Sequence, residues 1–334
     1  MVEQITPDAV AASLSGGESG FGRNQQSYYD HPVLQKPHWR WEVVWYFFIG
    51  GIMSGSALLA AAADTFGDED DRALVRNGRW LALAGAVMSP VLLIKDLGRP
   101  ERFLNMTRIV KLKSPMSVGV WSLLGFSAMS AIAALEELLG RGRVPWFLGG
   151  LIPRGLRNLF HALAASFVGS YTGVLIAATA IPVWNAGRRQ IPAIFVCSAV
   201  STGCAAQAAL LALSGGSPKS IAKLEKIELV AALAEAALLV DYASSAGETG
   251  NALFGGEIGE RLRAGTLIRG IAIPALLNLA GIFTKPGHAT KRRVVKTLIA
   301  AGLTLYGGYV LRKSVIEAGK ASADDPRAAL RQPE

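Results

Sequence analysis

Cysteine is nearly missing from this sequence of 334 residues, which holds two, Cys197 and Cys204, alongside four histidines. Seven residues apart on a helix, the two thiols stand ~10 Å apart along its axis, too far to bond to each other. Two thiols also fall short of the four ligands an iron–sulfur cluster takes, so this chain is expected to carry none. They are read as small apolar core residues. Of His31, His38, His161 and His288, only His161 falls in a long apolar stretch. A haem held by two histidines inside a helix bundle is therefore not expected. The sequence has no Walker motif, no glycine-rich dinucleotide loop after a strand and no zinc spacing, so no metal site is assigned. Charge is scarce as well: 18% of residues are Asp, Glu, Lys or Arg, below the ~25% of a soluble protein.

What is abundant is apolar. Half of the chain, 51%, is hydrophobic, and the mean hydropathy is +0.34. The charges are clumped. Between the clumps lie eight mostly apolar segments, about 43–63, 78–95, 116–136, 159–183, 190–213, 225–247, 265–283 and 294–313. Each is long enough to cross a ~30 Å hydrocarbon core. The expected fold class is an all-α integral membrane protein with eight transmembrane helices over 38–315. A polar arm, 1–37, precedes it and a polar tail, 316–334, follows. The arm lacks the apolar core of a signal peptide. The spans are rich in Ala, Gly and Leu, and G51-I-M-S-G55 and G169-S-Y-T-G173 suit close helix approach. The net charge of +9 sits beside the spans, which points to lipid headgroups and not to nucleic acid as its partner.

Eight spans place both termini on one side, here side A, with the loops near 97–115, 184–190 and 248–264. The loops near 64–77, 137–158, 214–224 and 284–293 fall on side B. Lys and Arg divide evenly between the two sides, so no orientation is assigned.

Polar residues inside or beside the spans are the candidate site. The second span ends MSPVLLIKDLGRPERFLNMTRIVKLKSP (88–115). Pro90 is expected to bend it, and Asp96 sits at its side-A end beside Lys95 and Arg99, either as a proton acceptor or in an ion pair. Phe103, Met106 and Ile109 recur every three residues, as in a segment lying along the membrane surface. In the fourth span Tyr171 sits near mid-depth among Gly169, Ser170, Thr172 and Gly173, and its phenol needs a partner, a ligand or a neighbouring helix. His161 lies near side B, as a site residue or an interfacial histidine. In HWRWEVVWYFF (38–48), Trp39, Trp41, Trp45 and Tyr46 resemble an interfacial belt, with Glu42 among them as a pocket residue or an interface charge.

The sixth span, EKIELVAALAEAALLVDYASSAGETG (225–250), holds acids at unusual depth. At 100° per residue, Glu225, Glu228 and Glu235 share one stripe, and Asp241 and Glu248 share another. Isolated acids this deep turn toward the bundle interior or a wet cavity. Ion pairing with Lys223, Lys226 or a neighbour's arginine is expected for Glu225 and Glu228, and a functional role for Glu235.

Four stretches together resemble the NrfD family, which includes polysulfide reductase membrane subunits: WYFFIGGIMSGSALLAAAAD (45–64), KDLGRPERFLNM (95–106), SYTGVLIAATAIPVWN (170–185) and IELVAALAEAALLVDYASSAGETG (227–250). The likeness covers about 38–315. It implies two four-helix bundles, no haem, and a bound menaquinone or ubiquinone near the membrane surface. It also implies a ferredoxin-like iron–sulfur partner subunit leading to a catalytic, often molybdopterin, subunit, in the bacterial cytoplasmic membrane. By motif it carries the quinone-reactive, catalytic roles onto Asp96 of D-L-G-R-P and Tyr171 of S-Y-T-G; Arg99 of the same motif and Glu42, read from its place at the start of the first span, are further candidate quinone-binding residues. A polar or histidine position of the first helix in some relatives is not matched; here that helix offers Ser54 and Ser56, with Glu42 at its start. Oxidising a quinol releases two electrons and two protons, and Asp241, Glu235, Glu228 and His161 span the depth toward side B as a proton relay. Two other readings compete: a cation- or proton-coupled secondary transporter with helices broken at Pro90 and Pro274, and a purely structural membrane anchor.

Overall fold

The computed structural model describes residues 34–140, 143–282 and 291–325, and these are helix and turn throughout, with no strand among them. The expected arm therefore lies outside the described residues except for residues 34–37. The long helices are α1 (Trp41–Phe66), α2 (Arg72–Asp96), α4 (Pro115–Leu139), α5 (Arg154–Ala177), α7 (Gln190–Ser214), α8 (Pro218–Ser245) and α12 (Lys291–Asp324). Short helices α3 (Arg102–Arg108), α6 (Pro182–Ala186), α9 (Asn251–Phe254) and α10 (Gly256–Arg261) join them. α10 runs without a break into a π-helical stretch, Leu262–Ala272, and then into α11 (Ile273–Ile282).

Local chemistry sets the boundaries. Ser114 and Ser217 cap α4 and α8 by accepting a bond from a backbone amide, each with proline at the first helical position. α7 ends at Gly215 with φ of 70°, a left-handed cap that glycine adopts without strain. Pro90 lies inside α2.

Among the described residues, seven helices are long and apolar enough to cross a membrane: α1, α2 with the turn before it, α4, α5, α7, the run Gly256–Ala280, and α12. α8, the sixth expected span, is just as long at 28 residues, but its acids and lysines keep it outside that set.

α1 and α7 form the centre, with 78% and 72% of their apolar windows buried, against 28% for the peripheral α4. α1 packs on α2, α5, α7 and α12; α4 closes against α2 and α5; α8 packs on α7 and α11; α12 packs on the π stretch and α7. The α1–α7 crossing is close because it is built on glycine. A Cβ on Gly55 would lie 2.0 Å from the Ala199 carbonyl oxygen, and one on Gly203 would lie 2.7 Å from the Gly55 backbone. No side chain fits either position, so dispersion contacts between backbones hold the pair where lipid offers no hydrophobic drive.

The last helix runs past the expected tail boundary at 315, to Asp324. Its small and apolar face (Ile316, Ala318, Gly319, Ser322, Ala323) is buried. It docks on α6, where Trp184 Nε1 donates to the Val315 carbonyl at 2.8 Å and the Val183 amide donates to Ser322 Oγ at 3.2 Å. The charged residues that make 316–324 look like a tail occupy the other face of an amphipathic helix.

Candidate functional site

An apolar cleft opens where α1, α2, α3, α4 and α5 meet at side A, with about 760 Å³ of space free of atoms, part of it open to the outside. Its walls include Trp39, Phe47, Phe103, Met106 and Met116, and its polar residues include Tyr46, Asp96 and Tyr171. Both residues expected at the headgroup, far apart in sequence, thus line one cavity. α3 explains the spacing seen in 103–109: Phe103 and Met106 form part of the wall, while Ile109 is exposed.

Asp96 is half-buried at the end of α2, and its Oδ1 is buried without a hydrogen-bond partner. It does not pair with Lys95. That ammonium lies 3.8 Å from Glu42 Oε1 and 4.5 Å from the centre of the Trp41 ring. Glu42 is buried behind the cleft wall, and its Oε2 has no hydrogen-bond partner. It is close enough to Asp96 to interact electrostatically, as are His38 and Arg40. Arg99 is exposed beyond the end of α2 and does not line the cleft.

Tyr171 donates its phenolic proton to the Pro115 carbonyl of α4 at 2.5 Å, and its oxygen faces the Gly119 backbone amide of the same helix. Its ring stacks on Phe167, with centroids 6.0 Å apart. It fits against α4 because residue 119 is glycine: a Cβ there would lie 2.1 Å from the Tyr171 ring.

Tyr46 was assigned to an interfacial belt and is instead a buried wall residue, near enough to Tyr171 to interact electrostatically. Trp39 also turns inward and stacks on Trp184, with centroids 5.2 Å apart. Trp41 and Trp45 stay exposed. Val43, Tyr46 and Phe47 line the cleft together, and their three- and four-residue spacing is the signal that marks Tyr46.

The four relay residues are not brought together. Glu225, Glu228 and Glu235 are buried on one stripe of α8, as the periodicity predicts. Asp241, on the other stripe, is exposed and accepts from Gln190 Nε2 at 2.8 Å. His161 sits among different helices: its Nε2 is 3.0 Å from Ser130 Oγ of α4, and it lines a small cavity with Arg79, Glu136, Arg157 and Asn158. α5 packs His161 against α4, whereas α8 packs on α7 and α11 and its buried glutamates reach α12. Glu225 accepts from Lys296 at 3.1 Å and from Thr297 at 3.2 Å, and Glu228 accepts from Thr304 Oγ1 at 2.6 Å. Glu225 is thus held by a lysine and a threonine of α12, and Glu228 by the Thr304 hydroxyl with Asn278 of α11 beside it.

Around His161 lies a charge cluster that joins the side-B ends of α1, α2, α4 and α5. Arg79, 3% exposed, contacts Asp64 at 3.0 Å, Glu136 at 3.6 Å and Glu137 at 2.7 Å. Arg72 binds Glu137 through both guanidinium nitrogens, Arg154 reaches Asp64 and Glu136, and Arg157 reaches Glu136. In sequence Arg72, Arg154 and Arg157 are simply basic residues in or near the side-B loops.

Arg312, near the end of the last apolar span, is 1% exposed. Its Nε donates to the Phe47 carbonyl at 2.9 Å, and its Nη1 to Ser198 Oγ at 2.9 Å and the Gly308 carbonyl at 2.8 Å. It thereby ties the back of the cleft wall to the helices that hold Glu235.

Apolar spanning helices and buried charges satisfied between helices define a multi-span helical membrane protein, and the cleft of aromatics with a carboxylate is its candidate site. The family model described as polysulphide reductase, NrfD, matches residues 32–323, and the chain belongs to that family. It is similar to the protein NrfD homolog of Haemophilus influenzae, at 25% identity over 323 residues, covering 87% of this chain and 98% of that protein.

Proposed function

We propose that this chain is the quinone- or quinol-reactive subunit of a multi-subunit oxidoreductase. It crosses the bacterial cytoplasmic membrane eight times, α8 included, in two groups of four helices with both termini on one side. The observation that carries the reading is the cleft: an apolar, aromatic slot suited to a quinone ring and tail, with a carboxylate and two phenols at it. Menaquinone and ubiquinone both fit that chemistry. Electrons pass to a ferredoxin-like iron–sulfur subunit docked at side A, and from there to a catalytic subunit of the molybdopterin kind.

In this reading Asp96 accepts a proton from the quinol hydroxyl through its uncommitted Oδ1. Tyr171 swings its donor from the Pro115 carbonyl to the quinone oxygen, and Tyr46 offers a second hydroxyl. Glu42, with its own uncommitted oxygen next to Lys95, takes the proton onward. Glu235 and Glu228 form steps of a route toward side B, since their stripe is buried between helices and not in lipid.

The test is quinol-linked turnover of the assembled complex. Asp96→Asn keeps the shape of the side chain and removes the acceptor, so turnover should fall ~10²-fold, with Tyr171→Phe falling less. Activity with an artificial acceptor at the partner subunit should persist in both. If both variants oxidise quinol at the parental rate, the cleft is not the site.

A further inference from the structure

Glu228 and Glu235 are seven residues apart, ~10 Å along the helix, beyond the ~3 Å reach of direct proton transfer. A chamber lies beside Glu235, lined by Ser198, Ser201 and Thr202 of α7, Glu235 of α8, Thr266 of the π stretch and Thr304 of α12. The centre of a water-sized sphere can occupy ≈ 10 Å³ within it, about the space of one water.

The hydroxyl protons around this chamber are mostly committed elsewhere. Thr202 donates to the Ser198 carbonyl at 2.7 Å, Thr266 to the Gly307 carbonyl at 3.1 Å, and Thr304 to Glu228 Oε1 at 2.6 Å. Ser198 Oγ accepts from Arg312 and turns its own proton toward Glu235. What these groups have left to offer is oxygen lone pairs, so the lining calls for a donor. A metal cation would meet the Arg312 guanidinium, which already supplies positive charge to Glu235. A neutral donor fits better.

We propose that one water occupies this chamber and that the Thr304 hydroxyl is the link through which a proton passes from Glu235 to Glu228. The inference rests on the reading of these two acids as proton-route steps. Glu235 gives its proton to the water; the water gives one of its own to Thr304 Oγ1; Thr304 gives its original proton to Glu228 Oε1. Each oxygen forms one O–H bond and breaks one, except that Glu235 ends one proton poorer and Glu228 one richer, and no electron moves. Beyond Glu228, Glu225 stands with Lys296 and Thr297 at the side-B end of α8 and α12.

The test uses the complete complex in liposomes, with electron flow from quinol and proton movement recorded together. Thr304→Val keeps the shape and removes the hydroxyl: proton movement should be lost while electron flow continues. Thr304→Ser should retain both. If Thr304→Val does not assemble, Thr304→Cys serves, since a thiol bonds weakly, and its proton movement should fall well below that of the serine variant. Wild-type proton movement in Thr304→Val or Thr304→Cys, with loss in Glu235→Gln, overturns the Thr304 link and leaves the relay reading standing. Wild-type movement in Glu235→Gln as well overturns both.

Discussion

Two sets of buried acids in this molecule are held in opposite ways. At the side-B ends of α1, α2, α4 and α5, Asp64, Glu136 and Glu137 are gripped by Arg72, Arg79, Arg154 and Arg157. On α8, Glu228 rests on a threonine hydroxyl and Glu235 looks into a hydroxyl-lined chamber, with Arg312 behind Ser198. A guanidinium fork stays protonated and fixes its carboxylate as a charge. A hydroxyl bonds either form of a carboxyl and lets protons come and go. The first arrangement is a staple across four helices; the second suits exchange.

That contrast is easiest to break at Arg79. Arg79→Met leaves three buried carboxylates short of a partner, and removing one side of such a pair costs about 3–5 kcal/mol. The chain should accumulate poorly, and its unfolding midpoint in detergent should drop sharply. Parental stability would mean the cluster does not hold the helices together.

A paired comparison sharpens the distinction. Glu136→Gln weakens the contacts to Arg79, Arg154 and Arg157 and should lower stability by about 1–3 kcal/mol. Glu235→Gln should assemble at the parental level and lose proton movement. Equal stability losses in the two variants would erase the difference between staple and exchange site.

The smallest effect is expected at Asp241. It is exposed and bonded to Gln190, so Asp241→Asn should stay within about 0.5 kcal/mol of the parent and leave proton movement unchanged. A clear loss of proton movement would return Asp241 to the route.

The sequence alone determined what depends on neighbours within a helix. Apolar length marked the spans; charge within α8 blurred one of them. The 100° step separated Glu225, Glu228 and Glu235 from Asp241, and burial follows that division. Asp96 and Tyr171 were legible as polar residues at the ends and middle of apolar spans. The tertiary structure decided partnership, because partners lie far off in the chain. Arg72 meets Glu137 across 65 residues, and Arg312 meets the Phe47 carbonyl across 265. No periodicity carries that information. An arginine near a helix end looks the same in sequence whether it faces headgroups or a buried carboxylate, and Tyr46 looks the same in a belt or a cleft. Only the packing of α1 against α2, α5, α7 and α12 removed lipid and water from these side chains and left other helices as their partners.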